Sequence, residues 1–245
     1  MNFMLINAKY EKELLLSKKA VEECSKHKTI ALYTSAQFVD QIEKVVKQLE
    51  ENNVNVLTSQ PDRTQKNYQL LGCDTEWRNL QLKEDVDAFL YVGDGMFHPT
   101  ALLLAQRNRK EAKEVIIYNP IEDKTKTISA NDIKKILKKY KGGMIKFMAA
   151  ENVGVMISTK PGQRQHKQAK LLEAKYPEKR FYYFVDNKIS FDQLENFPFV
   201  ECWINTACPR IAFEDSAEIR KPIINLNDAL HSEEEMSEES VFTKA

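Results

Sequence analysis

Cysteine is scarce in this 245-residue chain, and the four present (Cys24, Cys73, Cys202 and Cys208) are scattered along its length. So few, so far apart, do not make the disulfide framework of a small secreted domain. There is no CxxC and no CxxxCxxC, so local spacing carries no metal signature. Charge of one sign is also missing. Lys plus Arg number 36 and Asp plus Glu number 36, so no global field would hold a polyanion, and no direct nucleic-acid partner is expected. No apolar run reaches the roughly 18 residues that a membrane span needs. The first residues, MNFMLINAKYEKELLLSKK, turn charged after a short apolar start and show no small-residue cleavage site, so no export signal is expected. Together these absences predict a cytoplasmic chain whose thiols stay reduced and open to metal or catalysis. There is also no Ser-His-Asp triad, no HExxH and no Walker lysine.

What is present is an ordinary globular composition, 42% hydrophobic and 29% charged, with length for one large or two modest domains. Apolar residues at helical spacing predict a helix over 10–24, then a buried strand at 29–33. A second amphipathic pattern at 38–49 and a strand at 54–57 complete a strand–helix–strand unit of a parallel sheet. The rhythm continues with strand-like runs at 68–71, 87–92 and 115–118 and a helix at 100–107. A lysine-rich helix at 132–141 is expected to stop at Gly142–Gly143, its charges forming a solvated face rather than a polyanion site. Beyond it, strand-like runs at 153–157, 180–185, 200–204 and 222–226 form a second, shorter series, with a helical pattern to Ala174 between the first two. The predicted fold class is α/β, with two related domains, each a small, mostly parallel sheet flanked by helices. The predicted division is 1–27, then 28–143 with Cys73, 144–230 with Cys208, and a disordered acidic tail at 231–245.

Five of the seven glycines (Gly72, Gly93, Gly95, Gly154 and Gly162) fall in or beside strand ends and strand-to-loop turns. Open α/β sheets bind ligands at the carboxyl ends of their strands, where backbone must approach closely. Cys73, in Leu71–Gly72–Cys73–Asp74, and Cys208, in Asn205–Thr206–Ala207–Cys208–Pro209–Arg210, are each predicted at such an end. Thiolates there suit an iron–sulfur cluster, though two inert thiols fit the spacing equally. Cys24 and Cys202 read as structural. Asp94 and His98 lie in VGDGMFHP, where acid–base, ligand and capping roles all fit, and the GDG is only a weak phosphate-loop signal. Gln163 closes STKPGQ, read either as a helix-opening anion loop or as a plain cap. Arg210 suits a ligand carboxylate or a salt bridge to Glu214 or Asp215. His27, His166 and His231 read as solvated.

Taken together and in order, LGC (71–73), VGDGMFHP (92–99), STKPGQ (158–163) and NTACPRIAFED (205–215), with Gln37 in TSAQ, closely resemble the archaeal diphthamide synthase family, also called 2-(3-amino-3-carboxypropyl)histidine synthase. The resemblance covers residues 28–228. It implies three related α/β domains, each giving one cysteine to a central [4Fe-4S] cluster whose open iron engages S-adenosylmethionine. The implied reaction is transfer of a 3-amino-3-carboxypropyl radical to a histidine of translation elongation factor 2. Residue by residue, Cys73 and Cys208 would be metal ligands, and Gln37, Asp94, His98, Gln163, Arg210 and Asp215 would contact the cofactor; no catalytic residue is assigned. The family's first domain would need about a hundred residues before position 28. Residues 1–27 are therefore expected to be its last helix, with the rest of the first domain supplied by a separate polypeptide, in a homo-oligomer or otherwise, or belonging to a longer sequence of which this is a part. The alternative is a non-catalytic α/β binding module or accessory subunit that keeps the fold.

Overall fold

A computed structural model describes residues 9–160, 162–163, 165–187, 190–214, 219–236 and 240–244. The chain divides into two compact units, Met1–Ile133 and Lys134–Ala245. In the first, α1 (Lys18–Cys24) leads to β1 (Thr29–Thr34), α2 (Ile42–Glu50), β2 (Asn55–Leu57), α3 (Trp77–Leu80), β3 (Ala88–Val92), α4 (Phe97–Ala105), β4 (Val115–Asn119), β5 (Lys124–Ile128) and the start of α5 (Ala130–Ala149). The second holds the rest of α5, then β6 (Asn152–Ser158), α6 (His166–Ala169), α7 (Leu171–Lys175), β7 (Arg180–Asp186), α8 (Phe191–Leu194), β8 (Cys202–Asn205), α9 (Arg210–Phe213), β9 (Ile223–Asn225), α10 (Leu226–Leu230), α11 (Ser232–Glu235) and α12 (Val241–Lys244).

The first sheet runs β2-β1-β3-β4-β5 and the second β7-β6-β8-β9; every pair is parallel except β4–β5. The first four strands of one sheet thus repeat the order of the other. A shared detail marks the same kinship. Asp87, just ahead of β3, accepts from the backbone N–H of Lys28 and Thr29 (3.0 and 2.9 Å). Glu201, just ahead of β8, accepts from those of Glu151 and Asn152 (2.8 and 2.7 Å). In each unit a carboxylate therefore closes the amino end of the first strand. These backbone donors hold both carboxyls below their ordinary range, Asp87 chiefly through Thr29 and Glu201 chiefly through Asn152.

The central strands follow from their sequences. β3, AFLYV, is buried at every position, as a parallel strand covered on both faces must be. The edge strand β5, KTKTI, exposes its lysines, which blunt an open edge. Helix α2 buries Ile42, Val45, Val46 and Leu49, one stripe at helical spacing. In the second unit Gly154 faces Trp203 across β6 and β8, and a Cβ on Gly154 would sit 2.3 Å from the buried indole. That glycine is there to seat the ring.

Several expectations change. The helix predicted over 10–24 begins only at Lys18, capped by Ser17, whose hydroxyl accepts from Ala20 N–H (3.4 Å). Ahead of it, Leu14 and Leu16 are buried while Leu15 is 44% exposed, which is the two-residue alternation of extended chain. Side chains of α2 and its approach hold that segment: Gln41 donates to the carbonyls of Tyr10 and Lys12, and Gln48 both accepts from Leu16 N–H and donates to its carbonyl. Leu14, Leu16, Ala20 and Cys24 pack into the same core as Ile30, Leu32 and Leu90, so 10–24 is built into the first unit. Residues 68–71 make a single bridge, Gln69 to Thr34, rather than a strand. Helix α5 passes straight through Gly142–Gly143, so the glycine pair does not end it; Gly143 lies against Pro222, where a Cβ would make an ordinary 3.4 Å contact. The tail expected to be disordered carries α11 and α12. Tyr176 hydroxyl lies 2.7 Å from that of Ser232, and Phe242, fully buried, packs its ring 5.9 Å from Tyr140.

Candidate functional site

In the first unit the site is assembled from four loops around the carboxyl ends of β1 and β3. The turn bearing Cys73 is tied to β1 by Thr34, which donates to Tyr68 carbonyl and accepts from Leu70 N–H (2.7 and 2.9 Å). Asp74 closes the turn, its carboxylate accepting from Leu71 N–H at 2.8 Å. Arg107, at the end of α4 and 1% exposed, fixes the outgoing chain by donating to the carbonyl of Thr75 and to Glu76 Oε1 at 2.6 Å. Arg63 brings a guanidinium nitrogen to 3.5 Å from Cys73 Sγ, a cation suited to a sulfur bearing negative charge. Cys73 is thus in a braced turn, not at a strand end.

The VGDGMFHP loop packs on that turn. A Cβ at Gly72 would fall 1.9 Å from the Phe97 ring, so the glycine is what lets Phe97 lie against the cysteine loop. Gly95, at φ 68°, takes the left-handed turn before it. His98 stacks on Tyr91 (5.7 Å between rings, 11° between planes), and Gln37 donates to Asp94 Oδ1 at 3.3 Å. The structure therefore gathers Gln37, Cys73, Asp94 and His98 at one end of one sheet. Four buried polar atoms, Ser35 Oγ, Asp74 Oδ1, Thr75 Oγ1 and Tyr91 OH, have no hydrogen-bond partner there. Ser35 lies beside the Tyr91 phenol, which burial pushes well above its ordinary pKa, but the two hydroxyls are not aligned to bond. Buried polar groups without partners are costly, and a ligand that brings donors and acceptors relieves them.

In the second unit Cys208 follows β8 on a loop held by Asn205. That side chain donates to Cys208 carbonyl (2.8 Å) and to Asn225 Oδ1 (2.9 Å), and accepts from Ala207 N–H (3.0 Å). Thr206 hydroxyl ties the loop to Met156 carbonyl at 2.7 Å. Arg210, 3% exposed, turns back to Glu214 with two hydrogen bonds, choosing the salt bridge over an open anion contact. Asp215 lies outside the described residues. Gln163 sits in the loop after β6, with its N–H on Lys160 carbonyl (3.1 Å). The helix that loop was expected to open starts only at His166 and lasts four residues, too short for an anion-binding terminus. Beside it a cavity of about 480 Å³ is lined by Ser158, Thr159, His166, Lys170, Tyr183 and neighbouring apolar side chains, and His166, exposed as expected, stands at its rim.

The four thiols divide cleanly. Cys24 and Cys202 are fully buried, and burial pushes both up to about 12. Cys73 and Cys208 are partly exposed. Since thiolate is the reacting form, iodoacetamide at about pH 8 is expected to label Cys73 and Cys208 in the folded chain and to spare the other two until denaturant is added. Equal labelling of all four, read by peptide mass spectrometry, would remove the distinction.

Residues 3–239 match the family model described as a putative diphthamide synthesis protein. The chain belongs to the diphthamide synthesis family. Among similar proteins, the 2-(3-amino-3-carboxypropyl)histidine synthase of Pyrococcus horikoshii is 31% identical over 200 residues, 80% of this chain and 54% of that protein. The enzyme of the same name from Methanocaldococcus jannaschii is 38% identical over 160 residues, 63% of this chain and 43% of its own. This chain therefore spans about half the length of these relatives. The crystal structure of Dph2 from Pyrococcus horikoshii with a 4Fe-4S cluster superposes with a TM-score of 0.74 at 27% identity, over 92% of this chain and 64% of that one. No described helix is long and apolar enough to cross a membrane.

Two residues that build the candidate site carry no signal in the sequence pattern. Arg107 closes the predicted helix 100–107 after the apolar run ALLLAQ; only the fold turns it inward. Tyr91 lay inside a buried-strand run and read as core.

Proposed function

We propose that this chain provides two cysteine ligands, Cys73 and Cys208, to a [4Fe-4S] cluster and takes part in the first step of diphthamide biosynthesis. In that step a 3-amino-3-carboxypropyl group passes from S-adenosylmethionine to a histidine of translation elongation factor 2. The observation that carries the reading is the division of the thiols. The two in the family motifs are the two partly exposed ones, each on a hydrogen-bonded loop, while the other pair is buried. Donor chemistry agrees, since cluster iron is held by thiolates and Arg63 complements the charge of one of them. The unpartnered atoms Ser35 Oγ, Thr75 Oγ1 and Tyr91 OH beside the Cys73 turn fit a polar co-substrate.

When bound, the cluster would supply the electron for reductive cleavage of S-adenosylmethionine. The chain's own residues do the holding. Asp74 and Arg107 brace the Cys73 turn, and Asn205 braces the Cys208 loop. Gln37, Asp94, His98 and Gln163 orient the ribose or methionine end, Asp94 already engaged by Gln37. Arg210, paired with Glu214, acts by positioning the Cys208 loop. Asp215 is assigned a cofactor contact on its motif alone.

A third ligand would come from another polypeptide or a further copy. The animal relatives named subunit 1, among them the human protein at 24% identity, support this. The test is anaerobic reconstitution with iron and sulfide alongside a polypeptide corresponding to the other part of the relatives. S-adenosylmethionine, a reductant and elongation factor 2 are then added. One aminocarboxypropyl group gained on a histidine of the factor is the expected outcome. A well-formed cluster with no transfer would instead favour the non-catalytic module.

A further inference from the structure

Between Asp132 and its end, helix α5 carries Lys134, Lys135, Lys138, Lys139, Lys141 and Lys146 and no acidic residue. The sequence alone predicts a solvated face. The fold does something more specific with it. A cavity of about 210 Å³ opens between α5 and the segment 219–223 that leads into β9, floored by Ile219, Pro222 and Ile223. Its rim is Lys138, Lys139 and Lys146 from the helix, with Arg220 and Lys221 from the facing segment, and no described acidic side chain lines it. Lys221 is anchored by the carbonyls of Phe197 and Pro198 (2.8 and 3.1 Å), which leave its charge unneutralised. Among the described residues Lys138, Lys146 and the Arg220 guanidinium form no ion pair.

Like charges crowded around one small cavity repel each other, an arrangement that an anion relieves. A second feature points the same way. Gly142, also in the lining, is exposed, and a Cβ built there meets nothing within 4 Å. No packing contact requires glycine there. Glycine in a helix interior is destabilising relative to alanine, so what it provides here is bare backbone at the cavity wall. The cavity lies toward the amino end of β9, where Trp203 N–H bonds Pro222 carbonyl, at the other end of the sheet from the Cys208 loop. It is thus separate from the cysteine-bearing edge of its own unit.

We propose that this cavity binds a phosphate group, carried by a small phosphorylated molecule or by an RNA backbone. Four of the five cations are lysines, point charges that converge on a compact multivalent anion, whereas a carboxylate is better matched by the planar fork of arginine. The apolar floor takes the uncharged part of the ligand next to the phosphate.

The full chain is titrated with inorganic phosphate, a nucleoside monophosphate, a single-stranded RNA oligonucleotide and an oligoglutamate, by calorimetry and by phosphorus NMR for the first two. Phosphate compounds should bind, more weakly as salt rises. The Lys138→Gln/Lys146→Gln variant should weaken them by about tenfold or more. Gly142→Leu, which keeps every charge and favours the helix, should do likewise by filling the cavity. Lys134→Gln/Lys135→Gln, on the same helix but outside the lining, should change affinity by less than about twofold. RNA bound far more tightly than the monophosphate names a strand as the source, and equal affinity names a small molecule; both support the site. Absence of binding by every phosphate probe, undiminished binding in the first two variants, or oligoglutamate bound as tightly as RNA would overturn it.

Discussion

Alanine at Cys73 or at Cys208 is expected to reduce the iron retained after anaerobic reconstitution to background, while Cys24→Ala and Cys202→Ala leave it unchanged. The contrast arises from geometry rather than residue type. Neither loop contains a second sulfur, and the two remaining thiols are fully buried in the cores. A thiol pushed up to about 12 does not ionise near neutrality to replace a missing ligand. The buried-site variants should cost stability instead, about 1 kcal/mol each. Iron content and charge-transfer absorbance, measured with the complementary polypeptide present, decide the matter. Full iron loading in either Cys73→Ala or Cys208→Ala would sink the ligand assignment, whatever the activity.

The second large effect is expected at Arg107. Its side chain is buried and spans from α4 to the chain leaving Cys73, reaching Thr75 carbonyl, Leu104 carbonyl and Glu76. Arg107→Met keeps the stem but removes every donor, leaving a carboxylate that is 17% exposed without this partner and a buried carbonyl unsatisfied. Breaking a buried ion pair from one side costs about 3–5 kcal/mol, a large part of the stability of an ordinary domain. The chain has one tryptophan per unit, Trp77 and Trp203. Urea unfolding followed by Trp77 fluorescence in a Trp203→Phe background therefore reads the first unit alone. A loss below about 1 kcal/mol would show that Arg107 only fills space. The same variant should loosen the turn that presents Cys73, so its alkylation should accelerate.

The sequence by itself determined the class of the fold. Alternating strand and helix patterns, a wholly apolar β3 and the stripe on α2 require parallel sheets flanked by helices, because each is a local period that only one kind of neighbour can bury. It also marked the segments of Gln37, Cys73, Asp94 and His98, which the fold brings to one end of the first sheet. Three things were settled only by tertiary structure. Leu14 and Leu16 form an extended strap because Gln41 and Gln48 hold it, a long-range bond that no local window contains. Helix α5 runs on through its glycine pair because Tyr140, Met144 and Phe147 on either side are buried in the second unit. Arg107 turns inward to the Thr75 carbonyl and the Glu76 carboxylate, which lie near it only once the chain is folded, and with that the turn of Cys73 acquires its support. Periodicity is a property of neighbours along the chain, whereas burial of a charge depends on partners brought from elsewhere.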